Sequence, residues 1–232
     1  MERRLAVTTA LFRGHASHRL IASRFPPIGI FDSFNDLEAA RAALELESAT
    51  DDRLNDVAGR LSLMAPADIL LGVPTAHQIM AAFLHPAPGG GRFNKDRLGA
   101  WYASLDLKTA VAETLHHHAL RLRRSAGGFP NSIVMRQLIT RPRANLVDIR
   151  KQRQAALYHR EDYTDSQTFG ERCRADGHDG IWYRSLRRSG GENIVIFRPK
   201  LLPPVVQGTH YRYDWSEDGT AIVSEIRAVS RE

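Results

Sequence analysis

Four residues in this chain carry groups that could do chemistry together. Arg92 ends the glycine run of GGGRFNKD, Tyr102 follows ten residues later in WYAS, and Glu113 eleven after that in AVAE. Ser185 closes GIWYRS and leads into the basic glycine turn LRRSGG. The set comprises a cation on a flexible collar, a flat ring, a carboxylate, and a hydroxyl beside a turn that would attract phosphate. The collar lacks the Lys-Ser/Thr of a phosphate loop and the spacing of a dinucleotide fingerprint, so neither nucleotide fold is indicated. No Gly-x-Ser-x-Gly elbow surrounds Ser185, which argues against a hydrolase triad. Taken singly, each residue has an ordinary reading. Arg92 is a solvated cation in a loose connection, Tyr102 a core aromatic, Glu113 an exposed carboxylate, and Ser185 part of a hairpin.

The elements that must position these groups are legible. GAWYAS (99–104) reads as a short strand with Trp101 and Tyr102 on opposite faces. Asp106 caps a helix running to about Arg124 and ended by Gly127 and Gly128. Its buried stripe is Leu107, Ala110, Val111, Thr114 and Leu115. At about 100° per residue, Glu113 lies roughly 60° beyond Ala110, at the stripe's border, where it can reach a cleft between helix and sheet. Further strands are expected over 131–140, 144–149, 180–185 and 193–199, with a helix over 166–177. Many strands and few helices indicate an α+β fold with a mixed sheet, not a doubly wound one.

Before the PAPGGG loop (86–91) the chain reads differently. Residues 36–64 show helical spacing in two halves, broken at SATDD with Thr50 or Asp51 as the second cap, and the apolar HQIMAAFLH follows. The organisation expected is a mostly helical N-terminal region over 1–86 and an α/β catalytic core over 87–232. The start, MERRLAVTTALFRG, is too polar and its apolar part too short for a secretion signal. No apolar run approaches the roughly 18 residues of a membrane helix. The single cysteine, Cys173, excludes an internal disulfide framework and suits a reducing cytoplasm.

The formal charge is +6, distributed unevenly. Residues 36–56 carry seven acids and two arginines, whereas 114–147 carry six arginines and no acid. That asymmetry would suit a polyanion, a phosphorylated small molecule or an acidic protein, and a non-catalytic nucleic-acid-binding module is one reading of it. The triple histidine His116–His118 does not read as a metal site. Helix neighbours point about 100° apart, and no His-Glu-x-x-His or Cys-His spacing accompanies them. His118 falls on the apolar stripe as a core or boundary residue. Cys173 stands between Arg172 and Arg174, which would favour a thiolate, yet no base is paired with it and packing is the simpler reading.

Together, GGRFN with Arg92, WYAS with Tyr102, AVAE with Glu113 and GHDGIWYRS with Ser185 resemble the RES family, toxins of bacterial toxin–antitoxin pairs. The likeness covers roughly residues 87–200, and HRLIASRFPP (18–27) is similar to the opening of family members, adding Arg19 as a substrate contact. The helical stretch from about 30 to 86 departs from the compact form of the family. The resemblance implies an ADP-ribosyltransferase-like fold and NAD as substrate, with no further cofactor. NAD would be degraded by transfer to water or phosphate, or its ADP-ribose passed to a protein. It also implies an antitoxin partner with a helix-turn-helix domain, so that nucleic acid is met only through the antitoxin. Glu113, Arg92 and Tyr102 would then be catalytic, and Ser185 and Arg19 would bind substrate.

Overall fold

In the computed structural model, which describes residues 7–24, 30–48, 52–152 and 155–227, strands and helices interleave along the chain. Strands β1 (Thr9–Phe12) and β2 (Ser17–Ala22) come first. Helices α1 (Ile30–Ser33), α2 (Leu37–Ser48), α3 (Asp52–Leu61) and α4 (Ala76–Leu84) follow. Then come β3 (Trp101–Ser104), α5 (Leu107–Arg123), β4 (Asn131–Thr140), β5 (Ala144–Asp148) and α6 (Thr164–Ala175). Strands β6 (Gly180–Arg184), β7 (Glu192–Ile196), β8 (Val206–Trp215) and β9 (Ala221–Ile226) complete the order.

The strands form one sheet, ordered β1-β5-β6-β7-β3-β2-β4-β8-β9. It is mixed, because β5 and β6 pair in parallel while the other pairs are antiparallel. The α+β class expected from the sequence is therefore the architecture found. The join at the centre is thin. Strands β2 and β4 share six register pairs and β3 and β7 share four, but β2 and β3 share only His18 with Ser104. Beyond that pair the two middle strands part and leave a seam.

Alternation along the strands divides the core between two faces. On one face, Trp101, Leu146, Trp182, Ile194 and Ile196 meet Phe31, Leu44, Val57, Met80 and Phe83 of α1–α4. Trp101 and Phe83 are wholly buried, so truncating either to alanine should cost about 3–5 kcal/mol. The other face carries two separate clusters, one on each side of the seam. Cys173 of α6 packs with Phe93, Ile181, Tyr183 and Val195, while Ala110 and Leu122 of α5 pack with Leu20, Met135, Tyr213 and Trp215.

This topology corrects the division at residue 86. Strands β1 and β2 precede the helices yet lie in the common sheet, and β2 is near its middle. The helical region is therefore a layer over one face of a single body. The second correction is the β8–β9 hairpin, where the sequence suggested no element. The expected SATDD break agrees with α2 ending at Ser48 and α3 beginning at Asp52, but Thr50 and Asp51 lie outside the described residues. So do Phe25–Pro27 of the HRLIASRFPP stretch.

Candidate active site

Helix α5 starts where Asp106 accepts the Thr109 amide at 2.9 Å, satisfying one of the amides a helix N-terminus leaves open. Its apolar stripe binds it to the β2–β4–β8 side, and Thr114 Oγ1 meets the Tyr213 hydroxyl at 2.9 Å. Glu113, at the edge of that stripe, extends to the strands on the opposite side of the seam. Its Oε1 accepts from Ser185 Oγ at 2.7 Å and from Asn193 Nδ2 at 2.8 Å. Asn193 in turn accepts from Ser104 Oγ at 2.6 Å through its Oδ1. Ser104, Ser185 and Asn193 are buried, so these bonds are shielded from competing water.

Ser185 is itself held firmly. Its Oγ accepts the backbone amides of Arg187 and Arg188, each at 3.0 Å. The basic turn after it packs against the start of α5, where Arg188 Nη1 reaches Asp106 Oδ2 at 3.3 Å and Thr109 Oγ1 at 3.2 Å. Arg187 Nη2 donates to the Arg160 carbonyl at 2.6 Å. The turn's arginines thus brace the carboxylate's support and are not merely solvated.

Tyr102 shares the Asn193 face of the sheet. The register aligns Ser104, Asn193 and Tyr183 in one row and Tyr102, Val195 and Ile181 in another. The rows are two residues apart along the strand, about 7 Å. The Tyr102 hydroxyl accepts the Phe93 amide at 2.8 Å and donates to Asn94 Oδ1 at 2.7 Å, fastening the glycine collar to β3. Gly91 lies so close that an added Cβ would stand 2.7 Å from that hydroxyl, which is why glycine is required there. From the opposite side, Gln167 of α6 donates to the carbonyls of Gly89 at 2.8 Å and Gly91 at 3.0 Å. The collar is a pinned loop, not a loose connection.

Arg92 is buried beneath this loop. Its Nη1 donates to the carbonyls of His159 at 2.8 Å and Leu157 at 3.3 Å, and its guanidinium lies 4.5 Å from the Tyr163 ring centre. Three of these groups, Glu113, Tyr102 and Arg92, act on the buried Tyr183 phenol, and Ser185 joins them through its bond to Glu113. Burial pushes the Tyr183 phenol well up, Glu113 and Tyr102 push it further, and Arg92 opposes them. The Tyr102 phenol is likewise raised by burial, against Arg174 and Arg92, so it remains protonated. Arg92, Tyr102, Glu113 and Ser185 therefore belong to one neighbourhood.

Arg19 stands at the seam. Its Nη1 donates to the Tyr102 carbonyl at 3.1 Å and its guanidinium lies 5.1 Å from the Trp101 ring centre. Burial pulls it down to about 10. It thus ties β2 to β3 where the ladder between them has ended. Burial also decides the case of Cys173, which is raised to about 12; Arg172 acts the other way and loses. Among the described residues no three His, Cys, Asp or Glu side chains are grouped to hold a metal, and the His116 and His117 rings meet edge-on, their planes 70° apart. No described helix is long and apolar enough to cross a membrane.

The sequence did not single out Asn193, Tyr183 or Tyr163. Asn193 had a visible signal, a lone amide opening an otherwise apolar strand, NIVIF. Its partner could not be named without the β3–β7 register.

The family model for the RES domain matches residues 69–216. An uncharacterized protein y4oC of Sinorhizobium fredii (strain NBRC 101917 / NGR234) is 30% identical over 214 residues, spanning 88% of this chain and 84% of that relative. Among solved structures, the M. tuberculosis MbcT–MbcA toxin–antitoxin complex contains a similar chain. That likeness has a TM-score of 0.44 and 10% identity, and covers 85% of this chain and 86% of the other.

Proposed function

The chain belongs to the RES domain family, and on that premise we propose that it is the toxin of a toxin–antitoxin pair. Its reaction is cleavage of the nicotinamide–ribose bond of NAD, with water or phosphate as acceptor. The observation that carries this reading is the Glu113 carboxylate, held on one oxygen by Ser185 and Asn193 beside the Tyr102 ring.

In the reaction the bond between ribose C1′ and the ring nitrogen breaks, and its electron pair leaves with neutral nicotinamide. Positive charge builds on the sugar, as in glycoside cleavage. Glu113 stabilises that charge. Both of its described bonds fall on Oε1, which fixes the rotamer and presents the other edge to the ribose. Preorganised charge of this kind contributes about 10²–10³ in rate. An acceptor oxygen then bonds to C1′ and releases its proton.

Tyr102 stacks its ring on nicotinamide, its hydroxyl being engaged by the collar. Arg92 directs its remaining donors at the phosphates, Nη1 being bonded to the loop behind it. Ser185 acts on the substrate through Glu113. Arg19 ties the seam together from the Trp101 face of the sheet, so its part in substrate binding would be indirect.

Transfer of ADP-ribose to a protein would use the same site and differ only in acceptor. A nucleic-acid-binding module has less support, because many cations are already engaged. Arg150 pairs with Asp148 and Glu192, Arg198 with Asp68, and Arg174 and Arg184 bond to carbonyls. An antitoxin with a helix-turn-helix domain is the proposed partner, covering the cleft and filling its phosphate site. The direct test incubates purified protein with NAD, with and without phosphate. Free nicotinamide supports the reading, label from NAD on a protein band selects the transferase, and intact NAD contradicts both.

A further inference from the structure

The acceptor in the proposed reaction must lose a proton, and none of the residues placed above receives it. Helix α5 carries a group suited to that task one turn beyond Glu113. His117 lies about 6 Å further along the helix and about 40° round it, turned back toward the apolar stripe. Side chains four residues apart are neighbours, with Cβ atoms about 5–6 Å from one another. His116 lies about 60° from Glu113 in the opposite sense, away from the sheet.

The burial of these residues departs from the order that the helix alone would give. A position turned nearer the sheet should be better covered, yet His117 is exposed while Glu113 and His116 are half-buried. Open space therefore separates this part of α5 from the strands, and His117 stands on its wall. The electrostatics agree. His117 is lowered to about 4, first by burial and then by His116, Arg187, Arg121 and Arg92. A ring that is reached by water and still desolvated by surrounding protein sits in a concavity. Arg187 belongs to the turn held by Ser185, and Arg92 lies beneath the collar, so two of those charges face His117 from the other side of the Glu113 site. The ring is neutral at pH 7, and neither of its nitrogens is hydrogen-bonded to another described residue. A neutral imidazole keeps one nitrogen able to accept a proton.

We infer that His117 is the general base that takes the proton from the water attacking ribose C1′. The inference rests on the NAD reading above. As the bond between C1′ and the ring nitrogen breaks, its electron pair leaves with nicotinamide and the water oxygen bonds to C1′. One proton of that water passes to the free nitrogen of His117, which later returns it to solvent. Phosphates of NAD held by Arg92 offset the cations around the imidazole and raise its basicity toward the range in which a base works best.

Azide tests the assignment, because it attacks C1′ as an anion with no proton to lose. The purified full chain is incubated with NAD and azide, and ADP-ribose is measured against its azide derivative. His117→Gln should shift the product ratio toward azide by about tenfold or more, whichever step limits the rate. His117→Ala should do the same, and His116→Gln should match the parent. Melting temperatures check each fold, and if one His117 variant does not fold the other decides. An unchanged ratio would overturn the inference. So would a shift toward ADP-ribose, the result for a residue that binds the anion, or an equal shift in His116→Gln. Nicotinamide release by the parent without ADP-ribose would also overturn it, since water is then not the acceptor. Intact NAD in the parent is a different failure, which contradicts the NAD reading itself and takes this inference with it.

Discussion

Ser185 donates its hydroxyl hydrogen to Glu113 Oε1 at 2.7 Å while accepting two successive backbone amides, from Arg187 and Arg188, at 3.0 Å. One side chain thus joins the tip of a strand, a basic turn and a carboxylate from a helix across the seam. The hydroxyl orients the acid while its own oxygen is taken up by the two amides.

Replacing Ser185 by alanine should therefore have two effects. Two half-buried amides lose their acceptor, costing about 1 kcal/mol or more of stability, readable by urea denaturation. Glu113 loses one of two restraints, so kcat for nicotinamide release should fall by about tenfold with KM little changed. A variant with unaltered kcat would remove Ser185 from the support of Glu113.

Asn193→Asp is a sharper probe, because it places a second carboxyl at the position that now donates to Glu113 Oε1 at 2.8 Å. Two carboxylates so close cannot both ionise cheaply, and one retains its proton to higher pH. The acid limb of the pH–kcat/KM profile should move upward in Asn193→Asp, and by less in Asn193→Ala, which only removes a donor to the charged form. Identical profiles in the two variants would contradict the contact.

For Tyr102 the ring and the hydroxyl have different tasks. Tyr102→Phe leaves the Phe93 amide and Asn94 without their shared partner and should destabilise the protein by about 1–3 kcal/mol. Because the ring remains, its KM for NAD should stay closer to the original than that of Tyr102→Ala. Equal losses in the two variants would leave the ring no role of its own.

His118 sets a slope in the pH dependence of stability. Its folded-state value is about 4 against 6.5 when unperturbed, lowered first by burial and then by Arg121 and Arg24. Between those values the unfolded chain binds a proton that the folded one refuses. The contribution is present in full above pH 6.5 and is lost as pH falls toward 4. Thermal melts over that window should fall less steeply in His118→Gln than in the parent protein.

The local half of the site was legible in the sequence. The Asp106 cap, the stripe of α5, the opposed faces of Trp101 and Tyr102, and Glu113 at the edge of that stripe all follow from spacing within one element. What was not legible depends on pairing between distant strands. Asn193 meets Glu113 only because β7 lies beside β3, and Tyr183 underlies the site only because β6 lies beside β7. Strand β2 escaped notice because SHRLIA carries His18 and Arg19 at its half-buried positions and reads as polar. In β8 the period-2 signal of Tyr211, Tyr213 and Trp215 was present, but Gly208 and the neighbouring charges obscured it.

On the proposed reaction, the Glu113 carboxylate stabilises charge on a ribose as nicotinamide departs. Its most direct test measures nicotinamide release from NAD by the parent protein and by Glu113→Gln, which keeps the shape and removes the charge. The parent should release nicotinamide and Glu113→Gln should lose about 100-fold or more of that rate, with the melting temperature preserved. Equal rates from both folded proteins, or no release from the parent with either acceptor, would contradict it.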